Sequence, residues 1–125
     1  VAAAAEWLPV GLISDTGISP GSSLREVLKS HGFLEHLRTL TFSDVVGVSK
    51  PKPAMYEHAA QALGVQPHEL FHLGDLEPTD IRGALDMGAT AGLFGGDNTR
   101  FVGATEAQYT FTSWLAFVEQ LPKIA

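Results

Sequence analysis

Short apolar runs that break off at polar turn residues alternate, along this chain, with stretches in which apolar residues recur every three or four positions. Val1 to Leu8 reads as the end of a helix entered part-way. Val10 to Ser14 is an apolar run closed by Ser-Asp-Thr-Gly, which predicts a buried strand and a turn. Pro20-Gly-Ser-Ser then opens a helix, with Ser22 or Ser23 as N-cap and Glu26 at capping-box spacing from Ser23. Leu24, Val27 and Leu28 form its apolar stripe and Gly32 closes it. Phe33 to Leu37 adds a short turn, and Thr39 to Val46 reads as a second strand. Pro51 to Pro53 starts another helix, with Met55, Ala59, Ala62 and Leu63 facing inward and Gly64 at its end. Glu69 to Leu73 is a third strand. A helix from Pro78 turns Ile81, Ala84 and Leu85 inward and closes at Gly88. Ala89 to Phe94 is a fourth strand, residues 95–100 a loop, and Tyr109 to Phe111 a short fifth strand. Trp114, Phe117, Val118 and Leu121 mark a final helix.

Strands alternating with helices in this way predict an α/β fold: a Rossmann-like core with a mostly parallel sheet and helices on its faces. At 125 residues the chain has room for one domain, covering 1–125. Apolar residues at 45% and charged residues at 18% are a globular composition. The net charge of −6 argues against nucleic-acid partners, which need a basic face. The absence of cysteine removes disulfides, thiolate metal sites and thiol nucleophiles, and favours a cytoplasmic setting. No apolar stretch is long enough to span a bilayer, and no basic segment precedes the first helix, so neither a membrane nor a signal peptide is expected.

Ligands of parallel α/β sheets bind beyond the C-terminal ends of the strands. Ser14 and Asp75 fall at such ends, Lys50 follows the second strand, and Asp80 lies five residues beyond Asp75. A hydroxyl and turn N–H groups can take phosphate oxygens, a lysine can neutralise them, and two carboxylates can hold Mg2+, which prefers oxygen ligands. Each residue also has a structural reading. Ser14 serves equally as a turn residue, Lys50 or Lys52 as a surface lysine, Asp80 as a helix N-cap, and Glu77 as a solvated acid or outer ligand. The five histidines show no metal-ligand spacing and read as surface or packing residues; Met87 and Trp114 read as core. Asp15-Thr-Gly17 matches an aspartic-protease tripeptide, but that fold is almost all β and the helical stripes contradict it.

The order and spacing of three segments is more specific. Leu12-Ile-Ser14 resembles motif II of the haloacid dehalogenase (HAD) superfamily. Gly47-Val-Ser-Lys50-Pro-Lys-Pro53-Ala-Met-Tyr56 resembles motif III, and Leu73-Gly-Asp75 with Asp80-Ile-Arg-Gly-Ala84 resembles motif IV. Asp86-Met-Gly-Ala89 and the tail from Tyr109 are similar to the phosphoglycolate-phosphatase-like branch. The resemblance implies Mg2+-dependent hydrolysis of a small phosphorylated metabolite. It gives Ser14 and Lys50 catalytic roles, places Ser14, the Asp15 backbone and Lys50 on the phosphoryl group, and assigns the metal to Asp75 and Asp80, the latter through water or from behind.

The chain departs from the family at one point. No Asp-x-Asp occurs in it, although the family's nucleophile and general acid/base stand in that motif on a central strand. The cap that follows this motif is also missing, so the expected core is incomplete. The chain resembles the C-terminal part of a HAD hydrolase and is expected to be nearly inactive alone. Three arrangements would satisfy the strand edges left open: a complementing N-terminal segment, direct pairing of the flanking strands, or a homo-oligomer. The alternative function is a noncatalytic remnant that acts as a binding or oligomerisation module.

Overall fold

The computed structural model describes residues 1–125. In chain order the elements are α1 (Ala2–Ala5), β1 (Gly11–Ser14), α2 (Gly21–Ser30), β2 (Thr39–Phe42), α3 (Ser43–Val46), α4 (Pro53–Leu63), β3 (Phe71–Gly74), α5 (Arg82–Asp86), β4 (Thr90–Phe94), β5 (Tyr109–Phe111) and α6 (Trp114–Ile124). Short 3-10 turns at Leu34–His36 and Pro67–Glu69 precede β2 and β3, and a π-type turn, Glu77–Ile81, leads into α5.

All strand pairings are parallel, as the alternation of strands and helices requires, but they form two blocks. One is the pair β1–β2; the other is β3–β4–β5. β1 and β3 are not hydrogen-bonded to each other, so direct pairing of the strands bearing Ser14 and Asp75 is not how this chain closes its sheet. The burial pattern follows. β4, paired on both sides, is buried from Ala91 to Phe94, whereas β3 is only half-buried along its length and Gly11 of β1 is exposed.

The main core lies between α4, α5 and the β3–β4 pair. It comprises Met55, Tyr56, Ile81, Ala84, Ala89, Ala91 and Leu93. The buried residues of α5 are the small ones, Gly83 and Ala84, because that helix packs tightly. A Cβ at Gly83 would come 2.5 Å from Tyr56 Cε2, far inside van der Waals contact, so glycine is what lets α5 lie against α4. α4 also packs on β1 and β2 and so ties the two blocks together.

Several elements differ from the sequence reading. α2 begins at Gly21, so Ser22 and Ser23 lie inside its first turn and neither caps it. Its cap comes from a distant segment, because Gly21 N–H donates to Asp44 Oδ2 at 3.0 Å. The second strand stops at Phe42, and residues 43–46 form α3 instead. Ser43 and Asp44 leave the ladder to bond Thr16 and Gly21. The buried face of α4 includes Ala60, while Ala62 is exposed. Val27 and Val118 are also exposed. Trp114 is 58% exposed, not core: its ring stacks on Phe94 with 4.0 Å between centroids and leaves the other face outside. Met87 packs against the core as expected. The helices and parallel strands exclude the aspartic-protease fold.

Candidate active site at the tips of the first and third strands

Ser14 ends β1 half-buried, and its hydroxyl lies 3.4 Å from the Asp15 carbonyl oxygen. Asp15 is exposed, and its Oδ1 accepts the backbone N–H of Lys50 at 3.0 Å. The next residue, Thr16, is buried and anchored twice to Ser43: its N–H donates to Ser43 Oγ at 2.8 Å, and the two hydroxyls lie 3.0 Å apart. The β1 turn is therefore tied on one side to α3 and on the other to the segment that carries Lys50.

Lys50 then crosses to the other block. Its Nζ donates to Asp80 Oδ1 at 2.6 Å, with only 14% of the lysine side chain and 4% of the aspartate side chain exposed. The same Oδ1 lies 3.0 Å from His72 Nε2, and Oδ2 accepts the N–H of Leu76 at 3.1 Å. Burial by itself would raise the Asp80 pKa. The His72 hydrogen bond and the Lys50 charge outweigh it, and hold this carboxyl well below the usual carboxylate range. The pocket for Asp80 exists because Gly74 has no side chain: a Cβ there would overlap Asp80. Tyr56 braces the same turn from below, donating its hydroxyl proton to the Thr79 carbonyl at 2.8 Å. Its phenol is held protonated far above the ordinary range by burial first and by the Asp80 and Asp15 charges second.

Asp75 follows β3 and is exposed. Its carbonyl oxygen lies 3.4 Å from Asn98 Nδ2, while its carboxylate oxygens are left open. Glu77, two residues on, serves the fold. Its Oε2 accepts the Thr105 hydroxyl at 2.5 Å and its Oε1 accepts the Glu106 N–H at 2.8 Å, which fastens the loop before β5 to the turn after β3.

Of the residues singled out in the sequence, the structure links Asp15, Lys50 and Asp80 directly; Ser14 ends β1 next to Asp15, and Asp75 follows β3 next to Leu76, whose N–H bonds Asp80. The structure also separates the two aspartates. Mg2+ keeps several waters and takes one or two carboxylates. Asp75, open and exposed, fits a direct ligand; Asp80, with both oxygens engaged, fits a support that holds Lys50 and the Asp75 turn. No three acidic or imidazole groups converge to cage an ion, so water and substrate oxygens would complete such a shell. His72 and Tyr56 were not singled out as site residues. Strand alternation, which puts His72 on the same face as Gly74, was the available signal for the histidine.

Known proteins resemble this chain in sequence and fold. The family model for haloacid dehalogenase-like hydrolases matches residues 3–88, and the chain belongs to that family. It is similar to a phosphoserine phosphatase of Thermus thermophilus, 37% identical over 54% of this chain and 27% of that protein. It is also similar to a glyceraldehyde 3-phosphate phosphatase of Pyrococcus furiosus, 38% identical over 66% of this chain and 33% of that protein. Among solved structures, an HAD phosphatase from Thermococcus onnurineus superposes with a TM-score of 0.79 at 28% identity, over 97% of this chain and 54% of that one. The protein YfnB of Bacillus subtilis, solved bound to magnesium, shares the fold at a TM-score of 0.78 and 15% identity, over 96% of this chain and 50% of that one. The chain thus spans about a quarter to a third of these curated relatives and about half of these solved structures. No helix is long and apolar enough to cross a membrane.

Proposed function

We propose that this chain carries the phosphate- and magnesium-binding part of a phosphomonoester hydrolase, and that a further polypeptide segment bearing the nucleophilic aspartate completes the site between β1 and β3. The observation that carries this reading is the bridge made by Lys50. One lysine is bonded through its backbone to the β1 turn and through its ammonium to the β3 turn, and it stands where two strand edges remain open.

In this reading the Ser14 hydroxyl and the Asp15 N–H bind the phosphoryl oxygens. Lys50 offsets the charge of the nucleophile and of the group in transfer, with Asp80 fixing where its ammonium sits. Asp75 would hold Mg2+, which when bound supplies positive charge against the phosphoryl oxygens. The substrate is a small phosphorylated metabolite, in line with the phosphatase relatives. The work of these residues is positioning and charge stabilisation; the covalent step needs the added aspartate.

The test is hydrolysis of p-nitrophenyl phosphate with Mg2+, by the chain alone and by the chain joined to a segment containing Asp-x-Asp. Activity is expected only in the second case, and Asp75→Ala abolishes it. Robust turnover by the chain alone would overturn the need for an external nucleophile. Failure of any such segment to confer activity, with the chain eluting as a defined oligomer, would favour the noncatalytic reading, in which the open edges serve as an interface.

A further inference from the structure

We propose that His72 is a positioning residue for Lys50, acting through Asp80; this rests on the reading of Lys50 as the cation of a phosphoryl site. The ammonium of a lysine is a compact charge on a flexible four-carbon stem, and a carboxylate alone can meet it in many geometries. Here the carboxylate is not free to choose. Oδ2 is spent on the Leu76 N–H, and Oδ1 accepts from His72 Nε2 and Lys50 Nζ together. The imidazole is itself locked. Only 11% of its side chain is exposed, and the Tyr56 ring meets it edge-on, 5.2 Å between centroids with an 82° interplanar angle. Tyr56 in turn is fully buried and bonded to the carbonyl of Thr79, the residue before Asp80.

The orientation therefore passes from a rigid element to a flexible one. β3 and α4 fix the ring, the ring fixes the plane of the Asp80 carboxylate, and the carboxylate fixes the ammonium. Gly74 makes this possible, because any side chain there would occupy the space between β3 and Asp80. Without the His72 donor, Asp80 keeps Leu76 but loses the contact that directs Oδ1, and Lys50 spends more time unpaired.

Competitive acylation of the folded chain, with each lysine read by peptide mass spectrometry, tests this without substrate or metal. Lys29, Lys52 and Lys123 are exposed and serve as internal references. Losing the hydrogen bond that directs Asp80 Oδ1 leaves the Lys50 amine more often unpaired and open to the reagent, so in His72→Phe its rate relative to the references should rise roughly threefold to tenfold. His72→Gln, whose amide reaches about as far as Nε2, should restore the Lys50 rate to within about twofold of the parent. An unchanged Lys50 rate in His72→Phe overturns the proposal, and so does a common rise at all four lysines, which marks general loosening. If His72→Phe does not fold, His72→Asn is read the same way, its amide being too short to reach Asp80. Labelling that responds as expected, in a chain whose joined form shows no Mg2+-dependent hydrolysis, would overturn the hydrolase reading and leave the role of His72 standing.

Discussion

Replacing Gly74 by alanine adds one methyl group at the point where β3 faces the Asp80 carboxylate. The new carbon would overlap Cβ and Cγ of Asp80 and lie 2.5 Å from its Oδ2, against about 3.5–4.0 Å for ordinary heavy-atom contact. Backbone strain is not involved, because Gly74 is not among the glycines with positive φ. Two responses are open to the chain. Asp80 can swing away, abandoning Lys50, His72 and the Leu76 N–H; breaking a buried ion pair costs about 3–5 kcal/mol. Alternatively β3 can shift against β4, at an overpacking cost of about 1–3 kcal/mol. The chain takes the cheaper mixture, so the expected loss is about 2–3 kcal/mol, a large part of the ~5–15 kcal/mol typical of a domain. Urea unfolding followed by far-UV circular dichroism should show a midpoint lower by roughly 1–2 M with an unchanged slope. Gly103→Ala is the contrast: φ is +80° and the space is open, so only backbone strain of about 1 kcal/mol is expected. A loss at Gly74 below about 1 kcal/mol would refute the view that this glycine exists to admit Asp80.

Two further outcomes concern Asp80 itself and the neighbouring Glu77 contacts. The Asp80 pKa is depressed in the folded chain, so its stabilisation is complete above the unfolded carboxyl pKa of about 3.9 and is lost as pH falls below that value toward the folded one. Asp80→Asn should cost about 3 kcal/mol at neutral pH and flatten this part of the acid-unfolding profile; parallel profiles for parent and variant would contradict it. Glu77→Ala removes the acceptors of Thr105 and Glu106, and should cost about 1–3 kcal/mol and speed hydrogen exchange at the Glu106 amide roughly tenfold. Unaltered exchange there would show that the loop is held by other contacts.

Much of the fold was legible along the chain because its causes are local. The apolar runs at 10–14 and 69–73, and the glycines at 32, 64 and 88, are responses to backbone geometry within a few residues, and elements appear there at nearly the expected bounds. That Ser14 closes β1 and that Asp75 directly follows β3 was legible for the same reason, since each marks the point where an apolar run stops. The errors fall where a distant segment intervenes. Asp44 caps α2 from twenty-three residues away, which no spacing within 20–32 could reveal, and Trp114 finds its ring partner in β4 while remaining at the surface.

The two aspartates show the division most clearly. In sequence Asp75 and Asp80 are equivalent acids near one strand end. Packing makes one an exposed, open carboxylate and the other a buried anion shared by Lys50, His72 and Leu76. The sequence by itself determined the alternating parallel elements and put polar groups at their tips, because hydrophobic periodicity and turn chemistry act over a few residues. Only the tertiary structure decided which carboxylate is neutralised and which stays available, because that depends on a lysine thirty residues upstream and on a glycine whose missing side chain makes the room.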